Sequence, residues 1–167
     1  LVANVVSGSD GANPAFLTVF DDKLYYRGRG AKAGYELWVY EDGHDPPSLA
    51  ADIRSGDASS SSYPSNLTVY DGKLFFGAND ASGAWLWAYD GVTDPYIVSD
   101  TSTTIRNNPQ DTVVYEEVLY FSALSDRGRK DIELWAYDGT GYPYLVEDIY
   151  EGASGSHPIN FTEFDGR

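Results

Sequence analysis

Short apolar runs alternate along the chain with clusters of Gly, Pro, Asp, Asn and Ser, and no apolar stripe recurs at helical spacing. Residues 67–70 are β-branched and aromatic, Asp71-Gly72 supplies a turn, and residues 73–78 return as a second strand. Residues 79–83 read as a loop and 85–89 as a third strand. Asp90-Gly91 and Pro95 then turn the chain into a fourth, over 96–99. The Asp-Gly pair suits a two-residue hairpin because both central residues take positive φ, which aspartate and glycine tolerate best. The density of Gly, Pro, Asp and Ser, together with the period-2 side-chain pattern, excludes helix.

This unit repeats. Glu36-Leu37-Trp38-Val39-Tyr40-Glu41-Asp42-Gly43 returns as Leu86-Trp87-Ala88-Tyr89-Asp90-Gly91 and as Glu133-Leu134-Trp135-Ala136-Tyr137-Asp138-Gly139, with tryptophans 49 and 48 positions apart. Leu17-Thr18-Val19-Phe20 recurs as Leu67-Thr68-Val69-Tyr70, more loosely as Val113-Val114-Tyr115, and a fourth time as Phe161-Thr162-Glu163-Phe164. Connectors rich in Gly and Ser run into Pro14, Pro64 and Pro158; the one ending at Pro109, residues 101–109, has no glycine and only Ser102 of the serines. Asp52-Ile53-Arg54-Ser55-Gly56 matches Asp148-Ile149-Tyr150-Glu151-Gly152.

The pattern predicts an all-β chain of propeller-like, tandem four-stranded antiparallel blades forming one repeat domain over residues 1–167. Three complete units span about 15–53, 65–100 and 111–149, with single strands at both ends over 1–6 and 160–164. In the third strand, Leu134 and Ala136 point one way and Trp135 and Tyr137 the other, so both faces are apolar. A sheet with one wet face would alternate with charges instead. A buried Trp or Tyr removes roughly 150–250 Å² from water, or about 4–6 kcal/mol. Trp38, Trp87, Trp135, Tyr40, Tyr89 and Tyr137 are therefore the expected repeat core, each unit covering its neighbour.

The residues Glu36-Leu37-Trp38, Trp87 with Asp90-Gly91, and Glu133-Leu134-Trp135 with Asp138-Gly139-Thr140 resemble the ELWxxDGT repeat proteins. These are bacterial surface and secreted proteins with propeller-like repeats similar in plan to kelch blades. The last copy fits best; the second has Ala84-Trp85 where Glu would stand, and the first interposes Glu41 before Asp42-Gly43. The resemblance implies a propeller-like fold and an extracellular or cell-surface setting, and carries over no catalytic residues.

Three units fall short of the roughly four to eight blades of a closed propeller. Three readings follow: an excerpt of a longer array, a chain that completes its rings or stacks with other copies, or a compact monomer. The first residue, Leu1, is not Met, which accords with a mature product or an excerpt. Exposed apolar end sheets favour self-association or further repeats, and a head-to-tail contact between unlike ends makes rings or filaments.

Composition narrows the partners. The net charge of −15 and pI near 4.2 argue against nucleic acid and anionic lipid. An apolar content of 42% with 15% aromatics argues against disorder. No stretch is apolar enough for a membrane-spanning helix. With no cysteine, disulfides, thiolate catalysis and zinc–thiolate sites are excluded.

Candidate chemistry is sparse. Asn66-Leu67-Thr68 and Asn160-Phe161-Thr162 are N-glycosylation sequons at equivalent places, as well as ordinary strand entrances. Carboxylates gather at turns, and calcium is the cofactor they would suit, with the loop around Asp90 and Asp94 or the connectors at Asp52 and Asp148 as candidate sites. No D-x-D-x-D-G loop is present, and Asp before Gly is also ordinary turn chemistry. Glu116-Glu117 fall on a turn rather than forming a glycosidase pair. His44, in the loop after a third strand, and His157, in a connector, have no triad partners at motif spacing. Tyr35, Tyr63, Tyr142 and Tyr144 are aromatics that could stack on sugar rings or pack between blades. The expectation is a non-enzymatic extracellular structural or adhesive repeat protein, with a carbohydrate-binding propeller as the alternative.

Overall fold

The computed structural model describes residues 11–57, 59–98, 109–124, 132–150 and 155–162. The chain is all-β over these residues, with twelve strands in three four-stranded antiparallel sheets and no helix among them. The first sheet holds β1 (Ala15–Phe20), β2 (Lys23–Gly30), β3 (Gly34–Glu41) and β4 (His44–Ala51). The second holds β5 (Ser65–Tyr70), β6 (Lys73–Asn79), β7 (Ala84–Tyr89) and β8 (Tyr96–Ile97). The third holds β9 (Asp111–Tyr115), β10 (Val118–Leu124), β11 (Ile132–Tyr137) and β12 (Tyr144–Glu147). In each sheet every strand pairs with the next along the chain.

The first hairpin of each sheet closes through two residues of positive φ: Asp21 and Asp22, Asp71 and Gly72, Glu116 and Glu117. That is the signature of a type I′ turn, whose twist matches that of the strands it joins. The strand entrances repeat too. Phe16 and Asn66, each two residues after a proline, have φ of 56° and 53° and mark register shifts between β1 and β2 and between β5 and β6. Asn160 has the same backbone sign, at 60°.

Sheets stack in chain order. Leu37 and Val39 of the first pack with Phe76, Trp85, Trp87 and Tyr89 of the second. Leu86 and Ala88 leave the opposite face of the second sheet and pack with Leu119, Phe121 and Trp135 of the third. The middle sheet is thus covered on both faces, with the Trp/Tyr face of each sheet lying on the Leu/Ala face of the one before. The entering strands also run side by side: Thr18 Oγ1 donates to the Leu67 carbonyl at 3.0 Å, and Thr68 and Thr112 hydroxyls are 2.5 Å apart.

Two differences from the sequence expectation have local causes, and a third element is described only in part. Residues 160–162, expected to begin a strand, are irregular; the Asn160 and Phe161 amides are held by the Asp111 carboxylate rather than by a neighbouring strand. Residues 163–164 of that expected strand, and all of the one over 1–6, lie outside the described residues. His44 opens β4 rather than sitting in a loop, because Asp42-Gly43 reverses the chain in two residues, with Gly43 at φ 79°. The fourth strand of the second unit is regular over Tyr96–Ile97, and the Val98 amide still donates to the Leu86 carbonyl at 2.9 Å; residues 99–100 lie outside the described residues.

Candidate functional site

Two aromatic triads fill the contacts between sheets. Phe20, Tyr25 and Tyr89 form the first, with Tyr25 5.8 Å from Phe20 and 5.9 Å from Tyr89. Tyr70, Phe75 and Tyr137 form the second, with Phe75 5.5 Å from Tyr70 and 5.6 Å from Tyr137. In each, two rings come from the first hairpin of one sheet and the third from the Trp-x-Tyr strand of the next. The same positions recur at the outer faces. Tyr40 stands in the first sheet where Tyr89 and Tyr137 stand in theirs, and alternation along β3 turns it, with Trp38, away from the second sheet. At the far end, Tyr115 and Tyr120 pair at 6.5 Å on the face of the third sheet turned away from the second. Trp87, Tyr89 and Trp135, at the internal contacts, are buried and Trp38 and Tyr40 are half-buried; Tyr137, though in the second triad, is half-buried as well.

Beside each triad a cleft opens at the turn end of the sheets. That between the first and second is about 510 Å³, lined by Lys23, Tyr25, Glu41 and Tyr89. That between the second and third is about 520 Å³, lined by Tyr70, Asp71, Glu117 and Asp138. Burial, reinforced by Tyr89, Asp21 and Glu41, pushes the Tyr25 phenol from 10.0 up to about 12. Burial likewise raises Tyr89 and Tyr137, with smaller contributions from charges nearby.

The glutamate of the Glu-Leu-Trp phrase has a structural task that spacing alone does not disclose. Glu36 is fully buried; its carboxylate accepts from the Ser62 hydroxyl at 2.5 Å and from the amides of Ser62 at 2.8 Å and Ile53 at 2.9 Å. Glu133, also fully buried, accepts from the Ser156 hydroxyl at 2.5 Å and the amides of Ser156 and Ile149 at 2.8 and 3.2 Å. A buried carboxylate is tolerable only when its oxygens are satisfied, and here each pins the following connector to the third strand. Desolvation raises the Glu36 carboxyl above its usual range, and the hydrogen bonds from Ser62, Ile53 and Arg54 oppose that rise. The sequence does carry a signal: Glu and a Ser two residues before proline occur together in the first and third units. The second has Trp85 and Asn107 instead. Trp85 is buried and its indole donates to the Ser82 hydroxyl at 3.1 Å and to Asp80 at 3.3 Å, inside its own hairpin loop.

The two sequons sit differently. The Asn66 amide donates to the Pro109 carbonyl at 2.7 Å and is part-buried, whereas Asn160 is exposed. Of the calcium candidates, Asp90 closes its own turn: its carboxylate accepts from the Thr93 amide at 2.7 Å and the Val92 amide at 2.9 Å. These bonds, that from the Thr93 amide first, hold it below the ordinary carboxylate range. Asp94, Asp52 and Asp148 are exposed, and among the described residues no three His, Asp or Glu side chains converge as a metal group would require. Glu116 and Glu117 are exposed on their turn, the former accepting from the Tyr115 hydroxyl at 2.9 Å. His157 is exposed, and its amide donates to the Ile132 carbonyl at 3.0 Å. Tyr142 and Tyr144 are exposed, while Tyr35 stacks on Tyr63 at 5.3 Å.

Neither protein-family models nor curated proteins give a match to the chain. Among solved structures, the crystal structure of a thermostable family-43 glycoside hydrolase is similar to it with a TM-score of 0.40 and 13% identity, over 86% of this chain. The chain spans 56% of that structure's length.

Proposed function

We propose that the chain is a non-enzymatic, extracellular structural or adhesive β-repeat protein of the ELWxxDGT kind. Its propeller-like blades are completed by further copies of the chain or by further repeats. One observation carries this reading: the two outer faces bear the two halves of the contact that the chain makes twice internally. Tyr40 and Trp38 stand at one end, in the positions of Tyr89 and Trp87; Tyr115 and Tyr120 stand at the other, in the positions of Tyr70 and Phe75. Unlike faces that fit each other give a head-to-tail, heterologous contact, which closes into a ring or grows into a filament. The net charge of −15 keeps the lateral surface soluble and leaves the apolar ends as the adhesive part.

The absence of cysteine permits a clean test. Tyr40→Cys and Tyr120→Cys proteins, mixed under mild oxidation, should form a disulfide-linked dimer at several times the yield of either protein alone. Equal yields in the mixture and in the separate proteins would contradict head-to-tail stacking.

A further inference from the structure

Position 27 breaks the repeat. Opposite the motif leucine on the third strand, β6 carries Gly77 and β10 carries Ser122, but β2 carries Arg27. Its guanidinium lies 4.9 Å from the Phe16 ring centre and 5.8 Å from that of Tyr35, and Tyr35 in turn stacks on Tyr63 with 23° between the planes. The result is a run of cation–ring and ring–ring contacts, Phe16–Arg27–Tyr35–Tyr63, called the Arg27 stack below. Asn13 braces it by donating its side-chain amide to the Tyr35 hydroxyl at 3.1 Å.

Nothing in the architecture requires this stack. The corresponding residues are Asn66, Gly77 and Ala84 in the second unit and Asp111, Ser122 and Ile132 in the third, and both units build the same sheet without it. Arg27 Nε is buried with no hydrogen-bond partner, and among the described residues Arg27 forms no ion pair, although the chain holds 26 acidic side chains. Residues 24–35 contain Arg27, Arg29 and Lys32 and no Asp or Glu, a basic run in an acidic sequence. The outer rings are open: Phe16 is 39% and Tyr63 50% exposed.

We propose that the stack is a binding site for an acidic sugar, a uronate within an oligosaccharide. A guanidinium near the faces of two rings, with its Nε buried, is left its terminal nitrogens to present to a carboxylate, the planar anion a guanidinium fits bidentately. One unpaired arginine matches the single charge of a carboxylate better than a phosphate dianion, which calls for several cations. The half-open face of Tyr63 supplies the platform on which a pyranose ring stacks. This site is independent of assembly: it lies where the connector between the first two sheets crosses β2 and β3, away from both outer faces.

Calorimetric titration with trigalacturonate and with neutral galactotriose tests the proposal. The acidic trisaccharide should bind at least about tenfold more tightly than the neutral one. Arg27→Gln should erase that difference, and Tyr63→Ser, on an exposed connector position, should weaken trigalacturonate by about tenfold with an unchanged circular dichroism spectrum. Equal affinity for the two sugars, no saturation below about 10 mM, or unchanged affinity in Tyr63→Ser would overturn it. Competition by sodium acetate at the same concentration as by monomeric galacturonate would overturn the sugar and leave a simple anion site.

Discussion

Tyr25 is 2% exposed and its phenol is pushed up to about 12, so ionising it works against the folded chain. A raised folded value means that its contribution is whole below the unfolded value of 10.0 and is lost as the pH climbs through about 12. Two pH units correspond to roughly 3 kcal/mol. Urea denaturation should therefore show wild type losing about that much more stability than Tyr25→Phe between neutral and strongly alkaline pH; parallel losses would contradict the burial of this ring. Glu36 follows the same sign. Its raised value places its contribution in mild acid and removes it as the pH rises towards neutrality. The stability gap between wild type and Glu36→Gln should accordingly be wider in mild acid than at neutral pH. Glu36→Ala strands the Ser62 and Ile53 amides and should cost about 3 kcal/mol. A cost equal to that of an exposed glutamate would show that the connector is not pinned.

The hairpins are the most readable part of the chain, because type I′ turns demand residues that tolerate positive φ and the sequence supplies Asp71-Gly72 where the demand is met most easily. Glu116 and Glu117 occupy the same conformation, at φ 47° and 60°, without that tolerance. Glu117→Gly should stabilise the chain by about 1 kcal/mol in urea denaturation, while Gly72→Ala should destabilise it by a similar amount. No gain from Glu117→Gly would mean that the turn differs from the one described. The strand pattern is equally open to reading because side chains alternate with period two, so that Leu/Ala and Trp/Tyr faces separate in the letters themselves. Other features hide from such a reading. The irregular path of residues 160–162 depends on which groups lie across the fold, such as the Asp111 carboxylate that holds the Asn160 amide. Glu36 and Ser62 are 26 positions apart, and only the folded connector brings them to 2.5 Å. The Arg27 stack is legible only as a departure from Gly77 and Ser122, once the units have been aligned.

Taken as a whole, the molecule is a stack with unlike ends. The middle sheet meets a neighbour on both faces, and the contact it makes on one side reappears on the other with the same aromatic positions. Trp38 and Tyr40, half-buried at the first sheet, and Tyr115 with Tyr120, half-buried at the third, carry those positions outward. The function proposed above has each of these ends meet the opposite end of another copy or of another repeat, and the isolated chain has the first of these available in solution. The direct measurement is the weight-average mass by light scattering over a hundredfold range of concentration. Mass should climb from 18.3 kDa in multiples of that value, and Tyr40→Arg should hold the chain at the single-chain mass. A constant 18.3 kDa at every concentration, unchanged by Tyr40→Arg, would contradict the stacked-repeat account.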